Sequence, residues 1–285
     1  MSTFDLSPVA LEYRVAHDRQ LRARVPAGLS RYESVERDGP LLRKTYRHGE
    51  AGFLDYRDLG GLDGPVLDAL IARQRDHYAA LGMPVEWKYH AHDLPAGLPD
   101  RLAAAGFVPE EPETVLVGEA AALTAAPVLP EGLALREVTS RADFERVQEM
   151  EETVWGVPHD WLPGMLESEV SGPGDRCAVV VAETADGTVV CAGWTRFHEG
   201  TDFVSLWGGS TLPHWRGRGA YRATVAHRAR LAVAAGHRFV QVDASVDSAP
   251  ILARLGLLPV AVTVPYVWRP DVPRPDVPPA EGGLS

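Results

Sequence analysis

The stretch WRGRGAYRATVAHRARL, residues 215–231, joins a glycine-arginine turn to a helical pattern. Gly217 and Gly219 alternate with Arg216 and Arg218 just before that pattern begins. Backbone N–H groups at a helix start lack intrahelical partners and carry the positive end of the helix dipole, so they suit anionic groups such as phosphates. Glycines let the backbone approach such a group closely, and arginines add charge-assisted donors. The stretch therefore predicts a site for a small anionic ligand.

The charges around this turn support that prediction. The chain has a net charge of −11, yet no Asp or Glu lies between Asp202 and Asp243. Six arginines fall in that interval, at positions 216, 218, 222, 228, 230 and 238. The acidic balance of the whole chain argues against a nucleic-acid partner bound through phosphate neutralisation. A basic island in an acidic chain favours a polyanionic small molecule, while a solvated arginine-rich helix face is the simpler alternative.

Two other phosphate-binding motifs fit less well. A P-loop needs a lysine, and this turn has none. A dinucleotide-binding turn would use Asp243 as its ribose-binding acid, but Arg222 occupies the third glycine position. Only about 40 residues follow Asp243, too few to complete a doubly wound domain.

The composition is that of a globular protein long enough for two domains. The chain has 285 residues, of which 45% are hydrophobic and 24% charged. We see neither a membrane-spanning apolar run nor a secretory signal, so we expect a cytoplasmic protein without a membrane partner. The only two cysteines, Cys177 and Cys191, flank a predicted hairpin that places Cys177 opposite a residue near Arg196, so we expect no disulfide. The sequence has no cluster of Cys and His with metal-ligand spacing, and we expect no metal.

The two halves of the chain repeat one order of elements. Each half shows an amphipathic helix ended by a glycine, Gly82 or Gly236, followed by a strand. Each then shows a short helix with a glycine and an apolar residue, and closes with an apolar strand, ETVLVGE or TVPYVW. We interpret this as a duplicated α/β domain, with chance similarity as the alternative. The boundaries are 1–126 and 133–270, with a linker in 118–132 and a Pro-rich tail at 271–285.

The second half opens with a further ordered series. A strand (LALREVTS), a helix (RADFERVQEMEETVWG), the hairpin and the strand DFVSLWGGST precede the glycine-arginine turn. This order predicts an α/β fold with a mixed sheet and flanking helices.

The glycine-arginine turn and a later segment resemble motifs of a known family. The sequence from Arg216 to Tyr221, preceded by Pro213, is similar to the acetyl-CoA loop of the GNAT N-acetyltransferases, [QR]-x-x-G-x-[GA]. The later VDASVDSAPILARLGL resembles the family's closing motif, with Ser245 at the position of an asparagine and Gly256 eleven residues on. The resemblance covers about 150 residues. It implies an acyl-CoA N-acyltransferase-like fold in two tandem copies.

The resemblance also implies the contacts with the coenzyme. Residues Arg216, Gly217, Arg218, Gly219, Ala220 and Tyr221 would present backbone amides to the pyrophosphate of acetyl-CoA. The preceding strand near Gly209, Ser210 and Thr211 would pair with the pantetheine amides and orient the thioester. Ser245 would keep a hydrogen-bonding side chain near the same ligand.

Three departures from the family pattern affect the chemistry. Tyr221 replaces a small residue beside the pyrophosphate, and Ser245 shortens the asparagine. Leu252 stands where many relatives carry the tyrosine that protonates the departing thiolate. We therefore name other catalytic candidates, Asp202 near the start of the fourth strand and Tyr266 in VPYVW. The simpler alternatives are an exposed hairpin carboxylate and a core aromatic residue.

The first half resembles a degenerate copy. Its corresponding loop, FLDYRDLGGLDGPVLDAL, contains Asp55, Asp58 and Asp63, which would repel a pyrophosphate. We expect residues 1–126 to form a non-binding partner domain. The sequence thus predicts an acetyl-CoA-dependent N-acetyltransferase that moves an acetyl group directly to a small-molecule amine; the alternative is a non-catalytic acetyl-CoA-binding regulatory module. The resemblance specifies neither the acceptor nor an oligomeric state.

Overall fold

The computed structural model describes residues 6–47, 51–125 and 129–270. Its α-helices are α1 (Pro8–Gln20), α2 (Gly64–Ala80), α3 (Leu98–Ala104), α4 (Arg141–Trp155), α5 (Leu162–Ser171), α6 (Ala220–Ala234) and α7 (Ala249–Arg254). Its strands are β1 (Tyr32–Asp38), β2 (Leu41–Tyr46), β3 (Gly52–Asp55), β4 (Val85–His90), β5 (Val108–Pro109), β6 (Glu113–Glu119), β7 (Leu133–Val138), β8 (Cys177–Thr184), β9 (Val189–Phe197), β10 (Phe203–Thr211), β11 (Phe239–Ala244) and β12 (Leu258–Trp268). The predicted Pro-rich tail, 271–285, lies outside the described residues.

Local signals set where the longer helices begin and end. Asp63 caps α2, its Oδ1 accepting the Gly64 N–H at 2.7 Å, and Ser140 caps α4 by accepting the Asp143 N–H at 3.2 Å. Helix α4 ends at Gly156, which takes the left-handed conformation with φ 71°. These residues explain why the helices predicted in both halves are present.

One mixed sheet runs through both halves. The strand order is β1-β2-β3-β4-β12-β6-β11-β10-β9-β8-β7, with β5 beside β12. The pairs β3–β4 and β10–β11 are parallel, and the others are antiparallel. The predicted fold class, an α/β fold with a mixed sheet and flanking helices, is confirmed.

The closing strands of the two halves are exchanged. Strand β6, at the end of the first half, pairs with β11 of the second half along all six residues from Phe239↔Glu119 to Ala244↔Thr114. Strand β12, at the end of the second half, pairs with β4 of the first half from Thr263↔His90 to Trp268↔Val85. The two exchanged strands also pair with each other. Each half therefore borrows its closing strand from the other.

The exchange corrects the predicted linker at 118–132. Strand β6 continues to Glu119, and a short 3₁₀ helix, Ala120–Leu123, follows it. Ala120 and Leu123 are buried in the core beneath α6. Small residues in this segment reflect close packing against the sheet rather than a free connection.

The predicted hairpin is confirmed in its register. Cys177 on β8 lies opposite Arg196 on β9, and Cys191 lies opposite Ala182. Both thiols are buried and free. The prediction of no disulfide is confirmed for this pair.

The sequence reasoning missed helix α5. Its segment, LPGMLESEVS, contains a proline and a glycine, and the predicted series passes from the helix RADFERVQEMEETVWG directly to the hairpin. Proline is tolerated in the first turn, and Leu162 and Leu166 are buried against α4 and the hairpin. Tertiary packing therefore makes this segment helical despite its weak local signal.

The strand exchange predicts that the two halves fold only together. A chain of residues 1–126 lacks β12, and a chain of residues 133–285 lacks β6, so each exposes sheet edges that are paired in the intact protein. We expect the full chain to unfold in one cooperative transition, followed by circular dichroism. Neither half alone should show a cooperative transition. Independent melting of either half at the temperature of the intact chain would contradict this.

Candidate active site

A cleft opens where β10 and β11 part. The two parallel strands pair only over Phe203↔Phe239, Val204↔Val240 and Ser205↔Gln241. Beyond Ser205, β10 pairs with β9 on one side only, and β11 beyond Gln241 pairs with β6 on one side only. The facing edges of β10 and β11 therefore line the cleft. Their backbone groups are free to bind a ligand that carries amides.

A β-bulge shapes the β10 edge. The pairing with β9 shifts between Gly208 and Ser210, which leaves Gly209 without a partner in β9. Gly208 and Gly209 have φ values of 64° and 90°. A Cβ on Gly208 would lie 2.4 Å from the Trp194 ring, and one on Gly209 would lie 2.8 Å from the Tyr221 ring. Both glycines are therefore required for the bulge.

The large side chain of Tyr221 is accommodated by this bulge. Its ring packs over Gly209, where no side chain stands, and touches both hydrophobic cores of the second half. Burial raises the pKa of its hydroxyl. Tyr221 stands where the family that the turn resembles has a small residue. The glycine on the facing strand, Gly209, makes room for its ring.

A buried arginine on the same helix, α6, binds the backbone beside the bulge. Arg228 is 1% exposed, and its guanidinium donates to the carbonyl oxygens of Trp207 (3.1 Å), Trp194 (3.4 Å) and Thr224 (3.2 Å). Burial lowers the pKa of this guanidinium. Because the Trp207 carbonyl points to Arg228, the bulge has a fixed orientation. The sequence reasoning counted Arg228 only as part of the basic island.

The glycine-arginine turn connects β10 to α6. A 3₁₀ turn, Pro213–Trp215, precedes it, and Gly219, with φ 98°, forms the N-cap of α6. Among the residues that the structure describes, no side chain caps this helix start. The N–H groups of its first turn therefore remain free to bind an anion from the cleft. Arg216 donates through Nε to the Thr211 carbonyl at 3.0 Å, which fixes the turn to the end of β10.

The corresponding turn of the first half is closed by its own side chains. Asp58 Oδ1 accepts the Gly60 N–H at 3.0 Å, and Asp63 Oδ1 accepts the Gly64 N–H at the start of α2. Asp55 lies in a buried ion pair with Lys44 at 2.7 Å. In the first half, aspartates thus accept hydrogen bonds from N–H groups of the turn. The corresponding N–H groups at the start of α6 have no such cap in the described part of the chain.

The cleft and the turn belong to one cavity of about 1080 Å³. This volume is slightly above the range of about 300–1,000 Å³ usual for small-molecule sites. Most of the coenzyme-binding residues predicted from the sequence line it: Gly209, Ser210, Thr211, Arg216, Gly217, Gly219, Ala220, Tyr221 and Ser245. Arg218 does not line it, and its guanidinium stacks over the Trp215 ring at 5.0 Å.

The two predicted catalytic residues lie away from this cavity. Asp202 is at the start of β10, before the strands part, and accepts from Gln20 Nε2 at 2.9 Å. Tyr266 packs in the core of the first half, edge-on to Tyr89 with ring centroids 6.1 Å apart. Neither side chain lines the cavity. Leu252, the position of the family tyrosine, is fully buried.

An acidic group around one lysine forms the cavity floor. Lys88 on β4 contacts Asp243 at 2.7 Å and Glu113 at 3.3 Å. Burial opposes the charge on Lys88, but these carboxylates outweigh it and raise its pKa above the usual range. The floor combines β4 with β6 and β11, so it exists only because the closing strands are exchanged.

Glu86 lies on the same floor, two residues before Lys88 on β4. Burial, together with the carboxylates of Glu113 and Asp243, raises the pKa of Glu86 to about 7 against the opposing effect of Lys88. A carboxylate with this pKa accepts a proton efficiently near neutral pH. The sequence signal was the alternation in VEWKYH, whose Glu86, Lys88 and His90 share one strand face.

A buried carboxylate on α4, that of Glu151, holds two residues that line the cavity. Glu151 accepts from Ser210 Oγ at 2.7 Å and from Trp155 Nε1 at 2.8 Å. Burial raises its pKa. Trp155 itself lines the cavity. The bond from Ser210 ties α4 to the strand that borders the cleft.

Residues 6–47, 51–125 and 129–270 contain no group of three or more His, Cys, Asp and Glu side chains placed to hold a metal ion. Over the same ranges, no helix has the length and apolar character needed to cross a bilayer.

The bulge predicts a specific effect of a methyl group at Gly208. Gly208→Ala adds a clash with Trp194 to the strain of a positive φ. With acetyl-CoA, the ligand that the sequence resemblance implies, as the calorimetric probe, we expect the affinity to fall at least tenfold. Gly200→Ala is the matched control, because Gly200 has φ 74° at the other end of β10 and an open surrounding. The control should lose about 1 kcal/mol of stability and keep its affinity. Equal affinities in the two variants would refute the role of the bulge.

Comparisons with known proteins were made in three ways. No protein-family model matches the chain, and no curated protein matches it. Among solved structures, a GCN5-related N-acetyltransferase from Kribbella flavida is similar, with a TM-score of 0.62 and 17% identity over 92% of this chain and 96% of the other. A tandem GNAT protein from the clavulanic acid biosynthesis pathway has a TM-score of 0.61 and 16% identity, covering 91% and 94%.

A third similar structure extends this result. A GCN5-related N-acetyltransferase from Sphaerobacter thermophilus has a TM-score of 0.55 and 18% identity, covering 82% of this chain and 78% of the other. At these identities the likeness concerns the fold. The exchanged sheet, the parted strands and these likenesses together show that the chain has the GNAT acyl-CoA N-acyltransferase fold in a tandem arrangement.

Proposed function

We propose that the protein is an acetyl-CoA-dependent N-acetyltransferase that acts directly on a small amine. The observation that carries the proposal is one continuous cavity with two distinct parts. It runs from the parted edges of β10 and β11 to the uncapped start of α6. The order of these binding groups along the cavity matches an extended ligand that has amides at one end and phosphates at the other.

The residues of the cavity fit acetyl-CoA, which supplies the activated acetyl thioester when bound. The free N–H groups at the start of α6, with Arg216 and Arg222 beside them, suit the pyrophosphate. The open edge of β10 around the bulge suits the pantetheine amides. Ser245 lies on the opposite side, after β11, where its hydroxyl can bind the same chain.

Acetyl transfer asks little covalent chemistry of the protein. One N–C bond forms and one C–S bond breaks, with the electron pair of the C–S bond remaining on sulfur. An ammonium acceptor loses two protons: one before attack, which a base on the protein accepts and passes to solvent, and one afterwards, which neutralises the sulfur. The chain must therefore orient the reactants and accept a proton.

Glu86 is the residue we assign to accept the first proton. It lines the cavity, and its pKa of about 7 suits the task. Asp202 and Tyr266 lack access to the cavity, so the geometry favours Glu86 over both. With Leu252 buried, the proton for the sulfur comes from the nitrogen that becomes the amide, directly or through water, rather than from a tyrosine at that position.

The first test concerns the phosphate end. Arg222→Glu places a negative charge at the helix start without disturbing a positive φ, because Arg222 is exposed. A charge-assisted contact is worth roughly 1.5–3 kcal/mol, so we expect acetyl-CoA affinity to fall about 10- to 100-fold by calorimetry. Arg230→Glu, on the same helix and outside the cavity, should leave affinity within about twofold. If Arg222→Glu binds acetyl-CoA with unchanged affinity, binding of the coenzyme at this turn is excluded.

The second test concerns the proton acceptor. Glu86 is active when deprotonated, so kcat/KM should rise with pH through about 7 and level off above it. Glu86→Gln should abolish this rise and lower the plateau by about 10²- to 10⁴-fold, the usual worth of general base catalysis. Glu110→Gln is the control, since Glu110 lines the same cavity but is exposed and paired with Arg269. A Glu86→Gln profile that still rises through pH 7 would exclude Glu86.

The assay also separates catalysis from simple binding. Calorimetry first establishes that acetyl-CoA binds. Release of free thiol is then followed with amino acids, polyamines, aminoglycosides and peptides. Binding without turnover on any amine would instead support a regulatory module, and absence of binding would refute both functions.

A further inference from the structure

A smaller chamber of about 130 Å³ adjoins the coenzyme cavity. The two spaces share four lining residues: Phe53, Lys88, Trp207 and Asp243. The chamber lies between the two halves, enclosed by β2, β3 and β4 on one side and by β9, β10 and β11 on the other. Its position makes it the inner end of the same cleft. Its volume suits a molecule of only a few heavy atoms.

The part of the chamber lined by Arg31, Arg196 and Glu169 has more positive than negative charge. The other two guanidinium groups of the lining, those of Arg22 and Arg24, are paired with Asp93 and Asp175. Glu169 accepts two bonds from Arg196, at 2.7 and 2.8 Å, and also faces Arg31 at 3.8 Å. One carboxylate thus serves two guanidinium groups, while Lys44 and Asp55 balance each other. Burial and the charges of Arg24 and Arg31 lower the pKa of His198 in the same wall well below its usual range. The group of Arg31, Arg196 and Glu169 therefore has one positive charge in excess, which one further anion would neutralise.

The near end, where the chamber meets the coenzyme cavity, has the opposite balance. One ammonium, Lys88, contacts the two carboxylates Asp243 and Glu113, and Glu86 lies on the same strand face. Gln241 adds a bond to Asp243 Oδ1 at 2.8 Å and no charge. This end therefore favours a cation.

The walls between these ends are aromatic and polar. Trp207 lies under the Arg196 guanidinium at 4.3 Å and donates through Nε1 to Ser205 at 2.7 Å. Ser205 in turn hydrogen-bonds His198 at 2.8 Å. His90 also lines the chamber, and within the described ranges its buried Nδ1 has no hydrogen-bond partner. The chamber thus contains a buried hydrogen-bonding atom that a ligand could satisfy.

We infer that the acceptor is a free amino acid or a similarly short zwitterion. Its ammonium group faces the carboxylates around Lys88, and its carboxylate lies in the chamber beside Arg31 and Arg196. This inference rests on the proposed function, because it assigns the acceptor of that same site. A polyamine would bring a second cation to an end that already has surplus positive charge. An aminoglycoside exceeds the chamber in size.

The first experiment compares acceptors that differ only in the carboxylate. After acetyl-CoA binding is established by calorimetry, thiol release is measured with the twenty standard amino acids, β-alanine and γ-aminobutyrate. Each is tested beside the amine that lacks its carboxyl group. We expect at least one amino acid to exceed its matched amine at least tenfold in kcat/KM. Turnover of amines with no preference for the carboxylate would overturn the inference and leave the proposed function intact. Failure of acetyl-CoA to bind, or of every amine to react, would overturn both.

The second experiment locates the carboxylate. Arg31→Gln removes one guanidinium while Glu169 keeps its paired bonds to Arg196. We expect KM for the preferred amino acid to rise at least tenfold, with kcat, acetyl-CoA affinity and KM for the matched amine nearly unchanged. Arg31→Lys should restore part of the loss, and Arg37→Gln, an exposed change on β1, should have no effect. An unchanged ratio of the two KM values in Arg31→Gln would exclude this placement.

Discussion

The parting of β10 from β11 is the constraint on which the rest of the site depends. Two parallel strands stop pairing after Ser205 and Gln241, although both continue for several residues. Unpaired backbone groups inside a protein are costly unless a ligand or water satisfies them. The outer edges of both strands are paired, β10 with β9 except at the bulge and β11 with β6, so each strand is held in place while its inner edge is open. The bulge and Arg228 then hold the inner edge of β10 in one conformation.

The exchange of closing strands links this opening to the first half of the chain. Strand β6 belongs to the first half, yet it supports β11. Strand β12 belongs to the second half, yet it joins β4 to the rest of the sheet. The first half is therefore more than a neighbour of the half that carries the glycine-arginine turn. It supplies Glu86 and Lys88 on β4, and Glu113 on β6, to the floor of the cavity.

The sequence was most informative where the structure is determined locally. Gly82 and Gly236, the predicted helix stops, have φ values of 67° and 82° just after α2 and α6. Such an end is determined within one turn, and the glycine-arginine turn is readable for the same reason. The exchange could not be predicted, because ETVLVGE and TVPYVW have similar apolar patterns and either fits either partner strand. The floor residues come from strands distant in sequence, so their proximity depends on that exchange. Asp202 was chosen for its place beside the fourth strand, but β10 carries it to the end opposite the cleft.

The buried polar face of the central sheet is better explained by ligand binding than by stability. On β4, Val85 and Trp87 pack into the core, while Glu86, Lys88 and His90 face the cavity and the chamber. Arg196, Glu169 and Lys44 are likewise removed from water. Buried ion pairs contribute little net stability, because the desolvation of both charges offsets their attraction, and apolar residues of similar size would serve a core as well. A surplus of one sign at each end of the chamber adds a further cost in the empty site. A ligand that brings the complementary charges relieves that cost on binding, which makes the arrangement selective for a zwitterion over a molecule with one charge.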